Sequence, residues 1–419
     1  MSVPAAPSPG RQRGDTAYDV VLYGASGFVG QQTVAYFARH APNELRWAIA
    51  GRDRGRLERV RRDAGVSVDV LVAEGRDGPA LDDVASRTRV ILSTAGPFAR
   101  HGDALVDACV RFGTHYADST GETPWVRALI DRHHDQAAAS GTRIVPCCGF
   151  DSVPSDLGAL LVARHVQRAF GVSCEWVDAI YRMRGGVVNG GTIESAFALA
   201  EEAPSGDPAD PFLLNASEER PEDAAKHRDP RLPRRRTDLG GWVAPFVMAP
   251  VNTRVVRRSA SLLTSWDEGY GPDFGYQEYL QLDGRLAAAR AVGLALMLGV
   301  GRGVMRSPGL RRSIRQLLPA AGSGPAEEAM DGGWFSCQLV ARAADGRRAR
   351  ATISDVGDPA NRVTVKLVCE SALALATGGD ALPGGATRGG VLTPATALGL
   401  VLAERLRRSG MTVEVTSCA

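Results

Sequence analysis

Lysine is almost missing. The 419-residue chain carries 49 lysines and arginines together, yet only Lys226 and Lys366 are lysine. A Schiff-base mechanism therefore has almost no candidate nucleophile. Opposite charges nearly cancel, 49 against 47, and a net charge of +2 supplies no field for nucleic acid. Seven cysteines (109, 147, 148, 174, 337, 369 and 418) contain no C-x-x-C or C-x-x-H spacing. An odd, scattered set excludes a disulfide frame or zinc site, and reads as reduced thiols in the cytoplasm. Long apolar runs are scarce as well. Within 285–306 the longest uncharged run is 291–301, shorter than the ~20 residues that span a bilayer. The first 16 residues open "MSVPAAPSPGRQRGD", without the apolar core of a signal peptide, and predict a disordered lead-in.

What remains is the composition of a soluble globular protein, 44% hydrophobic and 23% charged, with length for two or three domains. From Tyr18 to Cys148, short apolar runs alternate with helical stretches. The runs cover 19–24, 46–51, 68–73, 89–96, 115–120 and 143–148. The helical stretches cover 28–40, 54–63, 78–86, 102–112 and 123–140. This alternation predicts an α/β fold, with a Rossmann-type doubly wound parallel sheet over 17–170. A helix starting near Pro154 closes that domain. An α+β domain with a mostly antiparallel sheet is expected over 171–388, for substrate or oligomer contacts. Its strand-like segments are 174–184, 242–248, 254–262, 334–343, 348–355 and 363–369. Within it, 204–240 is rich in proline and charge and reads as a long surface loop, and 284–325 is apolar and arginine-rich. A helix capped by Thr393 and stopped by Gly410, followed by a strand, is expected over 389–419, returning to the first domain.

The stretch "DVVLYGASGFVG" turns a strand directly into a helix through three glycines. Gly24 permits the tight turn, Gly27 lets a pyrophosphate approach the backbone, and Gly30 lets the helix pack on the sheet. Ser26, Phe28 and Val29 complete the loop, whose helix end offers free N–H groups to phosphates. At the end of the second strand, "AIAGRDRGR" offers Arg52 to a 2′-phosphate, which favours NADP; Asp53 leaves NAD open. Ala95, Gly96 and Pro97, leaving the fourth strand, are expected beside the nicotinamide half.

The segments "VVLYGASGFVG", "STAGPFARHG", "YADSTGE" and "CCGFDSVPSDLG" resemble the saccharopine dehydrogenase-like reductases. "NGGTIES" and "APVNTRVVRRSASL" are similar to the trans-acting enoyl reductase branch. The resemblance runs from about residue 19 to the C-terminus. It implies a Rossmann domain, a second α+β domain, and a C-terminal helix packing back on the first. It also implies NADP-dependent reduction of an enoyl bond on an acyl chain carried by a polyketide synthase. Phe98 stands where a tyrosine is common, and Glu74 where "AD" is usual.

Such a reduction places hydride on a β-carbon, negative charge on a thioester oxygen and a proton on the α-carbon. Tyr116 is the candidate donor or oxyanion partner, with Asp118 and Glu122 as orienting carboxylates. Asp151, Ser152 and Ser155 follow at the next strand exit. Structural readings stand beside these: a buried Tyr116 ring, Asp118 and Asp156 as caps, and "GFDS" as glue between domains. His133 and His134 read as a solvated helix face. For 285–306 two readings compete: a buried or subunit-interface helix, and an interfacial helix for a membrane's inner face or an acyl chain. "RRR" (234–236) and "VVRRS" (255–259) are candidates to meet an acidic carrier protein, or solvated faces. Besides an acyl substrate, a homodimer is possible. Two alternatives stay open: a non-catalytic nucleotide-binding scaffold at a lipid surface, and a reductase of an amino-acid-derived substrate.

Overall fold

The computed structural model describes residues 16–186, 189–201, 207–216, 220, 221, 223–315 and 324–418. The predicted lead-in therefore lies almost wholly outside the described residues, as do parts of 204–240 and 284–325. The chain divides into two compact units. The first holds the residues up to Thr120, Trp125–Gly149 and Thr364–Arg405. The second holds Gly121–Pro124, Phe150–Val363 and the residues from Leu406 onward.

The first six strands are β1 (Tyr18–Tyr23), β2 (Trp47–Gly51), β3 (Asp69–Val72), β4 (Thr88–Ser93), β5 (His115–Asp118) and β6 (Arg143–Val145). Then come β7 (Cys174–Arg184), β8 (Arg234–Arg236), β9 (Gly241–Pro245), β10 (Gly275–Leu282), β11 (Trp334–Ala343) and β12 (Arg348–Val356). The last two are β13 (Gly390–Val391) and β14 (Thr412–Ser417). The first unit is a parallel sheet in the order β13-β6-β5-β4-β1-β2-β3. Strand order reverses between β1 and β4, the topological switch point where α/β sheets bind nucleotides. Helices fall within a few residues of the predicted ones: Phe28–His40, Arg54–Asp63, Gly78–Ser86, Asp103–Phe112 and Thr123–Ala139. The central strands are buried on both faces, so they read as continuous apolar runs.

The second unit is a mixed sheet, β14-β12-β11-β7-β10-β9-β8, antiparallel except for β7 against β10. Several sequence expectations change here. The helix Val153–Phe170 belongs to this unit and packs on β11 and β12. Gly158 makes that approach possible, since a Cβ would lie 2.4 Å from Leu339 Cδ1. The strand read at 254–262 is the helix Ala249–Ser265. The strand read at 363–369 is the helix Thr364–Thr377, which packs on the first sheet. That helix is buried almost all round, so its apolar residues show no helical period. β14 alternates along "TVEVTS" and pairs with β12, so it completes the second sheet instead of returning to the first unit. The helix Gly399–Arg408 is held to the first unit by Arg405 Nε, 2.8 Å from Glu370 Oε2. Nor is 204–240 wholly a surface loop: Phe212, Leu213 and Leu214 are buried, and β8 lies within it.

A dinucleotide cradle and candidate active site

β1 ends at Tyr23 and the chain turns through Gly24 at φ +82°, a conformation that strains any side chain. A Cβ at Gly24 would also lie 2.9 Å from Ala95 N. At Gly30 a Cβ would come within 2.2 Å of Gly24 O and 2.8 Å of Ala25 Cα. These two glycines let the chain pack against itself. Gly27 differs. It caps the helix Phe28–His40 at φ −77°, which any residue adopts, and no side chain caps that helix end. A Cβ there would meet only Gly24 O, at 3.3 Å. Its bareness leaves room for something outside the protein, beside uncapped amides at the positive end of a helix dipole. That is the chemistry of a pyrophosphate site. Ser26, Phe28 and Val29 are partly exposed around it.

The neighbouring strand end is tied in by Thr94 N–H, which donates to Tyr23 O at 2.9 Å. Ala95 is half-buried and Gly96 exposed, whereas Pro97 and Phe98 are buried. Pro97 is therefore packed within the turn, while Ala95 and Gly96 leave backbone open to solvent. Phe98 stacks on Trp125 with centroids 5.7 Å apart, so the tyrosine hydroxyl it lacks is a packing matter.

Arg52 is exposed just beyond β2 and makes no ion pair among the described residues. Asp53 is engaged: its Oδ1 accepts the Arg56 N–H at 2.9 Å and caps the helix Arg54–Asp63. One oxygen of its carboxylate is thereby occupied, while the Arg52 guanidinium stays exposed just beyond β2. Arg56 Nη2 donates to Ser26 O at 3.1 Å, bringing a second guanidinium to the phosphate loop. Sequence reading missed Arg56, one of six arginines between 52 and 62.

The three catalytic candidates part company. Tyr116 is fully buried, and burial with the nearby Asp118 carboxylate pushes its hydroxyl well above the ordinary tyrosine range. Asp118 is fully buried too. Its Oδ1 accepts N–H groups from Thr120 at 2.9 Å and Cys147 at 3.1 Å, and its carbonyl accepts from Cys148 at 2.7 Å. Asp118 thus joins the ends of β5 and β6 and holds Cys147 in its left-handed backbone, φ 62°. Both residues are fully enclosed, and the contacts of Asp118 give it a structural part at the ends of β5 and β6. Glu122 and Ser152 are buried as well. Asp151, in the second unit, is half-buried and makes no ion pair among the described residues. Burial raises its carboxyl to about 6, so part of it stays protonated near neutral pH.

Other candidates are internal glue. Ser155 donates to Glu278 and lies 2.6 Å from Tyr181 Oη. The same Glu278 carboxylate accepts from Tyr276 Oη at 2.7 Å and Asn252 Nδ2 at 2.9 Å, and burial pushes it up to about 7. Asp156 accepts from Ser259. The "VVRRS" arginines do not form a docking face. Arg257 is 2% exposed and donates to the carbonyls of Pro211, His227 and Tyr276. In "RRR", Arg234 and Arg236 lie over the Tyr279 ring, and Arg236 pairs with Asp178 at 2.8 Å. His133 is likewise not solvated: Nε2 lies 2.8 Å from Asp107, and His134 Nδ1 accepts the Val391 N–H at 3.2 Å.

A reversed parallel sheet, a bare phosphate turn and a free arginine past the second strand define an NADP-dependent oxidoreductase. Comparison with known proteins agrees. Residues 20–145 match the family model of the saccharopine dehydrogenase NADP binding domain. The chain is 38% identical, over 96% of its length, to 98% of a Mycobacterium tuberculosis protein grouped by name with the trans-acting enoyl reductases. It is 36% identical, over 95% of its length, to 98% of the trans-acting enoyl reductase of Mycobacterium ulcerans. Two solved structures share the fold. Apo saccharopine dehydrogenase (L-Glu forming) of Saccharomyces cerevisiae has a TM-score of 0.53 at 15% identity, covering 96% of this chain and 99% of that one. Homospermidine synthase of Legionella pneumophila, in complex with NAD, has 0.55 at 9%, covering 98% and 92%. The chain belongs to the trans-acting enoyl reductase family.

Proposed function

We propose that the protein uses NADPH to reduce the carbon–carbon double bond of an α,β-unsaturated acyl thioester, acting in trans on a chain held by a polyketide synthase in the cytoplasm. Full-length kinship to proteins named trans-acting enoyl reductases carries this reading. The same kinship disfavours both the scaffold and the amino-acid-substrate alternatives.

Bound NADPH supplies the hydride that goes to the β-carbon. The chain's own work begins with the cofactor's grip. Amides of the Gly27 turn hold the pyrophosphate, Arg52 and Arg56 face the 2′-phosphate, and the backbone at Ala95 and Gly96 orients the nicotinamide half. As the β-carbon is reduced, the α-carbon needs one proton. Asp151 is the group we assign to give it, afterwards regaining a proton from solvent. Its raised carboxyl keeps a usable protonated fraction near neutrality, and that fraction falls as pH rises through about 6.

The test is NADPH oxidation with a panel of enoyl thioesters on coenzyme A and on an acyl carrier protein. Asp151→Asn should lower kcat by about a hundredfold, within the range removed with a general acid, and leave NADPH affinity unchanged. It should also remove the loss of rate above pH 6. A panel in which nothing consumes NADPH sinks the reductase reading; full activity in Asp151→Asn sinks only the proton assignment.

A further inference from the structure

The helix Ala287–Arg306 breaks the usual rule for a surface helix, which turns its apolar side inward. Only Ala287 and Ala291 are buried. Leu296 is 65%, Met297 62% and Val300 67% exposed, and Val292 lies in the open one turn before Leu296. Positions 292, 296 and 300 follow at four-residue steps, so they share one face, widened by Met297. The interior reading of this segment is thus overturned within the chain itself. The helix is 20 residues long, enough by length and composition to cross a membrane.

The flanking charge is of one sign. Between Asp283 and Glu327 the sequence holds seven arginines and no acidic residue. Arg285, Arg302 and Arg306 are exposed and make no ion pair among the described residues; Arg315 is neutralised by Glu194 and Glu201. Two copies meeting through this face would set arginines against arginines. An anionic lipid surface meets both features together. Headgroups accept the guanidinium groups while the apolar side chains enter the acyl boundary. The structure itself keeps the helix against β9 and β10, which favours lying in the interface over crossing it.

We propose that Leu286–Arg315 is a membrane-interface element that seats the second unit on an anionic phospholipid surface. The observation is independent of the enoyl reductase reading, and so is its test. The full chain, loaded with NADPH, is floated with vesicles of phosphatidylglycerol and, separately, of phosphatidylcholine. Binding to the anionic vesicles should exceed binding to neutral ones about tenfold and weaken in high salt. Leu296→Gln/Met297→Gln/Val300→Gln should lower vesicle binding about tenfold or more, with NADPH affinity as the check that the chain is folded. Arg302→Gln/Arg306→Gln should erase the preference for anionic vesicles. Failure of the wild-type chain to float with phosphatidylglycerol, or undiminished binding by the triple variant, overturns the proposal. So does a dimer in sedimentation velocity that the triple variant converts to monomer, since the face would then be a subunit interface.

Discussion

Adding one methyl group at Gly27 and at Gly30 should have opposite consequences, although the residues are three apart. At Gly30 the added Cβ would stand 2.2 Å from Gly24 O and 2.8 Å from Ala25 Cα. Both obstacles are backbone, so no rotamer relieves them. The strand–helix junction must open by about 1 Å to reach normal contact, and overpacking of that kind costs about 1–3 kcal/mol. At Gly27 the new Cβ would meet Gly24 O alone, at 3.3 Å, with an already permitted φ of −77°. Compatible Gly→Ala changes stabilise by about 0.4–1 kcal/mol through the unfolded chain, which offsets the tight contact with Gly24 O and leaves folding nearly unchanged. Yet that methyl enters the space between the helix-end amides and the pyrophosphate. Urea unfolding and NADPH fluorescence titration separate the two effects. Gly30→Ala should lose stability and affinity together. Gly27→Ala should keep the wild-type unfolding midpoint and bind NADPH about a hundredfold more weakly, a loss of about 2.7 kcal/mol. If Gly27→Ala bound NADPH like wild type, this turn would not hold the pyrophosphate and the cradle would be misassigned.

Three further outcomes follow from other parts of the molecule. Arg52→Ala should bring NADPH affinity down to that of NADH, read by parallel titrations; a retained preference would move the 2′-phosphate away from β2. Burial, with Arg143 and Arg89 close by, holds His115 down at about 3, and its Nδ1 accepts the Arg143 N–H at 3.0 Å. Because the folded value is depressed, its stabilisation is complete above the unfolded pKa of about 6.5 and is lost as pH falls toward 3. His115→Gln should therefore flatten the decline of the urea midpoint between pH 6.5 and 4, and equal slopes in both proteins would refute it. Arg257→Lys should destabilise the second unit by about 1–3 kcal/mol, because one ammonium cannot serve carbonyls from three segments; an unchanged midpoint would refute this.

The first unit was legible because its rules are local. Tyr18–Tyr23 followed by Gly24 and an uncapped helix needs only the strand, the turn and the dipole to be read. The helix at 54–63 was legible from the alternation of apolar runs and helical stretches, and the structure adds Asp53 as its cap. The second unit hid where burial was complete. "RVVRRSASL" has β-branched residues and no apolar alternation against polar solvent, since Arg254, Arg257 and Arg258 all lie inside. Hydrophobic patterning presumes that charge faces water, and here it does not. The helix Thr364–Thr377 failed for the converse reason, being enclosed on nearly every side. Asp118 drew a catalytic reading because it ends β5, with Tyr116 two residues before it. Only the three-dimensional hydrogen bonds from Thr120 and Cys147 reveal a turn clasp.

The motifs that distinguish this branch gather in that polar interior. Asn189 of "NGGTIES" accepts the Thr192 N–H at 3.1 Å and donates to Asn361 Oδ1 at 2.9 Å, joining a helix start to a later turn. Asn252, Arg254, Arg257 and Ser259 of "APVNTRVVRRSASL" reach Glu278, Asp229, backbone carbonyls and Asp156 respectively. Interior polar groups are stable only when nearly every donor and acceptor is met, so altering one member strands the others. A sequence signature of this kind therefore records how the second sheet is assembled. Its members are engaged in structural contacts, and Asp151 lies outside both motifs. The arginine-for-lysine bias fits the same physics. A planar guanidinium with five donors can satisfy carbonyls from separate segments at once, and Arg257 does so in the middle of the unit.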